Sequence, residues 1–146
     1  MPAAARTRAP HRFPRVAEVL EEHRLARRRR WRDRFLTVRG LVCYADHVEV
    51  VVAYRYRDDE LAALIAAVDE AGPVGVVPGL PQPVITVRDD LGTTYVRVQT
   101  RKTGGQRAVF TAFFTPPVPA AAALVSVFVD GELVEEVTRT VVAQDV

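Results

Sequence analysis

The chain has 146 residues, enough for one domain and short for two, and its 49% hydrophobic and 26% charged residues are the balance of a globular protein. A single cysteine, Cys43, excludes an internal disulfide and a cysteine-based zinc site. The formal charge of +2 hides a division: residues 1–39 hold 12 arginines and 4 acidic residues, net +8, whereas residues 40–146 hold 8 basic and 14 acidic residues, net −6. A basic arm ahead of an acidic body is a pattern that suggests an anionic partner.

Residues 1–15 carry three prolines and four arginines. They hold too little apolar surface to offset the entropy of ordering, and are predicted disordered. From Val16 to Arg34 the chain is made of good helix formers without Gly or Pro, with Glu18, Glu21 and Glu22 early and the arginines late. That charge order suits a helix dipole, so a basic N-terminal helix is expected. Residues 1–34 are therefore assigned as an arginine-rich arm, disordered then helical, and residues 35–146 as the folded domain, expected to fold without the arm. No apolar h-region follows the basic start, and no apolar run approaches the ~18 residues of a membrane span. The expected location is the cytoplasm.

The body opens with a strand over Leu36–Tyr44, a turn at Ala45-Asp46-His47, and a second strand over Val48–Arg57. In that second strand Val48, Val50, Val52, Tyr54 and Tyr56 share one face, the expected core side, and Glu49, Val51, Ala53, Arg55 and Arg57 share the other. Asp58 or Asp59 is placed to cap a short helix over about 59–71, whose Leu61, Leu64, Ile65 and Val68 form a one-sided apolar stripe. Gly72 is its predicted stop, and the Pro/Gly-rich residues 72–83 read as an irregular loop. Further strands are expected at Val84–Arg88, Thr93–Arg101, Arg107–Thr115, Leu124–Val129 and Glu132–Val142. Asp89-Asp90-Leu91-Gly92 reads as a turn, Pro116-Pro117-Val118-Pro119 as a crossover to another sheet, and Asp130-Gly131 as a two-residue hairpin turn. The fold class predicted is mainly β: a sandwich of two antiparallel sheets with about six to seven strands and one inserted helix.

The stretch VITVRDDLGTTYVRV…FTAFFTPPVPAAAALVSVFV, with its Asp-Asp-Leu-Gly-Thr-x-Tyr hairpin and its Phe-x-Pro-Pro-x-Pro crossover, resembles immunoglobulin-like β-sandwich domains of uncharacterised bacterial proteins, many of them actinobacterial. VRGLVCYADHVEVVVAY is similar to their opening hairpin. The resemblance covers the body and none of the arm. It implies a fold and no chemistry.

Catalytic candidates are few. The lone serine, Ser126, lies in LVSVFV without the flanking glycines of a nucleophile elbow, and reads as a structural hydroxyl. Cys43 reads as a buried thiol and His47 as a solvent-facing turn residue; a Cys43–His47 pair is the less favoured reading, since nothing supplies a third group. Asp58, Asp59 and Glu60 are explained by capping, and Asp89 and Asp90 by turn chemistry. No phosphate loop, metal-ligand spacing or cofactor motif is present in the sequence. A non-enzyme without cofactor or metal is expected.

The sharp feature is the arginine cluster. Arg27, Arg28, Arg29, Arg30, Arg32 and Arg34 surround Trp31. These seven residues are the candidate binding site for an anionic partner, the arginines neutralising phosphates and Trp31 stacking on a base. The chain has one lysine and no asparagine, so codon bias alone can supply such a run. Solvation, or docking of the arm on the acidic body through Trp31 and Phe35, is the leading alternative. A protein partner ranks next, then nucleic acid, then an anionic membrane. The functional expectation is a binding or regulatory module that meets a protein through the sandwich and the arm, with nucleic-acid or anionic-surface association as the alternative and a homo-oligomer compatible with either.

Overall fold

The computed structural model describes residues 18–71 and 80–141, the side chains of 68–71 excepted. The expectations for residues 1–15, for Gly72 and for most of the 72–83 loop lie outside these residues. In chain order the elements are β1 (Val19–Trp31), β2 (Arg34–Tyr44), β3 (Val48–Arg55), α1 (Asp58–Ala71), β4 (Ile85–Asp89), β5 (Val96–Thr103), β6 (Arg107–Thr115), β7 (Leu124–Val129) and β8 (Glu132–Thr138). A five-stranded sheet runs β1-β2-β3-β6-β5 and a three-stranded sheet runs β4-β7-β8. Every pairing is antiparallel. The eight strands exceed the six to seven expected by one that the sequence had assigned to a helix.

Period-two alternation builds the core. Leu36, Val38, Val50, Val52, Phe110 and Phe114 from the larger sheet meet Ile85, Val125 and Val127 from the smaller one, and all of these are buried. Burial of each such side chain contributes about 1.5–3 kcal/mol. The predicted core face of β3 is observed as assigned. The proline-rich segment 116–119 carries the chain from β6 in one sheet to β7 in the other, as expected. Asp130 and Gly131 close the β7–β8 hairpin at φ +52° and +85°. Both angles are positive, the requirement of a type I′ turn.

The expected N-terminal helix is corrected. Residues 19–31 form β1, paired with β2 from Val19↔Tyr44 to Trp31↔Arg34. The local preference of Glu, Leu, Ala and Arg for helix is outweighed by a long ladder onto an exposed edge. The boundary drawn after residue 34 falls just inside β2, whose first residue Arg34 pairs with Trp31 of β1. A second correction concerns Asp89–Gly92. β4 pairs with β7 and β5 with β6, so this turn is not a hairpin but a passage between sheets. Asp89 shapes it by accepting the Leu91 and Thr93 amides at 2.9 and 3.1 Å and the Tyr95 hydroxyl at 2.7 Å.

Helix α1 begins where predicted. Glu60 accepts the Arg57 amide at 2.8 Å, and Asp59 accepts the Glu60 amide at 2.9 Å. Its contact with the body is narrow: Leu61 and Leu64 are partly buried on the core, while Ile65 is exposed. No other helix is present among the described residues.

A basic sheet face as the candidate functional site

Folding the arginine run into a strand splits it by side. Cross-strand partners share a face, so Arg27 and Arg29, opposite the buried Val38 and Leu36, point inward. There they meet the edge of the smaller sheet: Arg29 Nε donates to the Val134 carbonyl at 2.8 Å, and Arg27 lies 3.7 Å from Glu135. Trp31 is buried at 5% exposure, with its ring 4.8 Å from that of Tyr54 and its indole N–H donated to Asp130 at 2.7 Å. A base cannot stack on it there. Arg32 pairs with Asp130 at 3.2 Å, and Arg34 grips Glu60 with two bonds of 2.8 and 2.7 Å. Further up the strand Glu21 accepts from Arg139 at 2.7 Å, so β1 is fastened to the body near both of its ends.

These attachments set the local electrostatics. The Arg34 guanidinium, against the cost of burial, holds the Glu60 carboxyl down at about 2. Glu60 in turn raises Arg34. Burial works against ionisation of Asp130, yet the Trp31 indole, the Val84 amide and Arg32 keep its carboxyl below the ordinary value.

Arg28 and Arg30 turn the other way. Arg28 opposes Thr37 and Arg30 opposes Phe35 on the outer face. On the same sheet Arg55 opposes Arg107, and Arg101 opposes Thr111. With Arg24, opposite Gly40, six exposed arginines stand on this face. Its carboxylates Glu22 and Glu49 are engaged, Glu22 by Arg24 at 3.5 Å and Glu49 by His47 at 3.0 Å. Among the described residues no carboxylate forms an ion pair with Arg28, Arg30, Arg55, Arg101 or Arg107.

Phe35 stands in the middle of this charge. The residue is 49% exposed, with the Arg28 guanidinium 4.4 Å and the Arg30 guanidinium 5.6 Å from the ring centre. An open cleft of about 610 Å³ beside it is lined by Arg28, Arg34, Phe35, Arg55, Arg57 and Gln106 among others. A neighbouring cleft of about 510 Å³ differs in charge state, because its Arg34 and Arg57 are matched by Glu60 and Asp33. The first cleft shares Arg34 and Arg57 and adds Asp58, which accepts from Gln106 at 2.9 Å, so the cations it has to spare are Arg28 and Arg55.

Of the seven arm residues singled out by sequence, the structure brings Arg28 and Arg30 to the open face and puts Arg27, Arg29, Trp31, Arg32 and Arg34 into intramolecular contacts. Phe35, Arg55 and Arg107 were not among them. Alternation along β3 already puts Arg55 opposite the core face, but its nearness to Phe35 depends on β2–β3 pairing and its nearness to Arg107 on β3–β6 pairing.

The remaining chemical candidates lie inside the packing. Cys43 is buried, and that burial pushes its thiol up to about 11. His47 is 2% exposed, not solvent-facing as expected: it bonds Asp46 at 2.6 Å and Glu49 at 3.0 Å and stacks on Tyr44, 4.3 Å between ring centres. Ser126 sits within β7 opposite Arg88 and Glu136. No described group of three or more His, Cys, Asp or Glu side chains is arranged to hold a metal ion. No described helix is long and apolar enough to cross a membrane. Compared with known proteins, the chain matches no family model, no curated protein and no solved structure.

Proposed function

We propose that the protein is a non-enzymatic binding module of immunoglobulin-like sandwich type, acting in the cytoplasm, that offers the outer face of its five-stranded sheet to an anionic partner. The observation that carries this reading is the concentration on one open face of guanidinium groups that no described carboxylate pairs, Arg28, Arg30, Arg55 and Arg107, set on neighbouring strands. A fold that pairs Arg27, Arg32 and Arg34 with its own carboxylates and, among the described residues, gives these four none has charge available for a ligand. Burial of Cys43 and His47 supports binding over nucleophilic catalysis.

The test is retention on immobilised heparin, used as a generic polyanion. Wild-type protein should elute at clearly higher salt than the Arg28→Gln/Arg55→Gln double variant, because each lost phosphate- or sulfate-type contact lowers the salt dependence. Equal elution of the two proteins, both folded by circular dichroism, removes the basis of the proposal.

A protein partner is a second reading, favoured by the other edge of the same sheet. β5 is almost wholly exposed, with Val96 and Val98 at 59% and 46%. Its outer side pairs with no described strand. Such an edge can accept a strand from another chain or from a second copy. A concentration-dependent mass in light scattering that disappears in Val98→Lys supports it; a constant monomer mass together with no captured strand peptide counts against it.

A further inference from the structure

Resting on the anionic-partner reading, we infer that the occupant of the sheet face is single-stranded nucleic acid, with Phe35 as a stacking platform and the flanking arginines as phosphate contacts. The argument starts from register. Arg30 pairs with Phe35 across β1 and β2, and Arg55 pairs with Arg107 across β3 and β6. Leu36 pairs with Tyr54, so the next step outward sets Phe35 beside Arg55. Arg30, Phe35, Arg55 and Arg107 therefore form one row across four adjacent strands. Strands lie about 4.8 Å apart, so the row spans about 14 Å, the rise of roughly four stacked nucleotides.

The composition of the row selects among polyanions. A charge-only site needs no aromatic ring, whereas this one places a half-exposed phenyl between cations. Exposing Phe35 to water costs hydrophobic free energy that a stacked base would recover. In a duplex the base faces are already stacked on one another and cannot reach the ring, so the aromatic favours an unpaired strand. An anionic membrane would call for several apolar side chains that can enter the interface. On this face the neighbouring apolar residues are short or covered: Ala53 and Phe113 are buried, and Val51 and Val109 are partly so. The open cleft beside Phe35 gives space for a flipped-out base, and its rim is held by Gln106, whose amide donates to the Tyr56 carbonyl and to Asp58 and accepts from Arg55.

The experiment measures fluorescence anisotropy of labelled dT20 and of an equivalent duplex with the full chain. Binding to dT20 should exceed binding to the duplex. Its log–log salt slope should be about −2 to −3, since roughly 0.7 is gained per neutralised phosphate on a single strand and three to four arginines are engaged. Phe35→Ala should weaken dT20 binding roughly tenfold or more and leave the salt slope unchanged, as expected for a lost stack. Phe35→Tyr should retain it, and Arg55→Gln should lower the slope by about 0.7. Heparin retention that depends on Arg28 and Arg55 but comes with no dT20 binding, or with equal affinity of wild type and Phe35→Ala, overturns the single-strand assignment and leaves the anionic-partner reading standing. Tighter binding to duplex, or flotation with phosphatidylserine vesicles in preference to dT20, overturns it as well. Failure to bind heparin, dT20 or vesicles defeats both.

Discussion

Trp31 and Asp130, 99 residues apart, are joined by a 2.7 Å hydrogen bond from the indole N–H to the carboxylate, and this bond ties the last residue of β1 to the turn between β7 and β8. The same carboxylate accepts the Val84 amide at 3.0 Å and pairs with Arg32 at 3.2 Å. One turn aspartate thus connects both sheets. It does so from a left-handed backbone position, φ +52°, that Asp tolerates better than most residues.

Asp130→Ala should therefore be costly twice over. It leaves the buried indole N–H of Trp31 without a partner and places a non-Gly, non-Asx residue at positive φ. A loss of about 2–3 kcal/mol is expected in urea unfolding. Asp130→Asn keeps the turn chemistry and should lose only about half as much at neutral pH. Because the folded carboxyl is held below its ordinary value, its stabilising contribution is present above the ordinary carboxylate range and fades as pH falls through the folded value. The gap between wild type and Asp130→Asn should close on acidification; a gap that widens contradicts the assignment.

The Arg34–Glu60 pair makes the same sign of prediction with a defined window. Both side chains are nearly covered, at 11% and 12% exposure, and they link β2 to the start of α1. The Glu60 carboxyl is lowered from 4.5 to about 2, chiefly by the Arg34 hydrogen bond. Its contribution is complete above pH 4.5 and is lost as pH falls toward about 2. Glu60→Gln should cost about 2 kcal/mol at pH 7 and almost nothing near pH 2. Chemical denaturation at several pH values measures this directly, and a pH-independent difference would point to packing of the side chain instead of its charge.

Cys43 should be inert while the chain is folded. Its thiol is pushed up to about 11 from 9.0, so at pH 8 the thiolate fraction falls about 100-fold. Burial at 2% exposure adds a steric barrier. Reaction with a disulfide reagent should be slower than that of the urea-unfolded chain by at least that factor. Comparable rates in native buffer would show that β2 opens readily.

The body was legible because its strands obey the period-two rule with the core on one side. Val48, Val50 and Val52 alternate with Glu49 and Val51, and Asp130-Gly131 needs positive φ wherever it sits. β1 was not legible for the reverse reason. Most of its inward side chains are polar: Glu21, Arg27 and Arg29 meet Arg139, Glu135 and Val134 O, and His23 bonds Glu21, while Leu25 and Trp31 pack on the core. No regular apolar alternation marks a strand whose inward side is mostly polar, and a composition of helix formers then points to the wrong period. The burial of His47 was hidden in the same way, since only the folded turn brings Tyr44 and Glu49 around it. The candidate site was half visible: the arginines were, but their division into bonded and free sets follows from the face each one takes.

The status of β1 gives the most direct test of the fold. A domain of residues 35–146 alone was the sequence expectation, with the arm dispensable. In the structure, removing residues 1–34 strips the whole β1–β2 ladder and deletes Trp31 from beneath Tyr54. It also takes Glu21 from Arg139, a side chain only 9% exposed that then keeps no carboxylate among the described residues. Loss of the Trp31 side chain alone carries about 3–5 kcal/mol, a large part of the stability of a domain this size. The cut further leaves β2 as a long unprotected edge bearing Val42 and Phe35, a template for pairing between copies. Residues 35–146 should therefore be aggregated or lack a cooperative melt, whereas residues 18–146, which begin just before β1, should unfold like the full chain. Calorimetry on the two fragments separates the cases: a cooperative transition in 35–146 within a few degrees of the full chain would make β1 an appendage and return the arm to the role its composition first suggested.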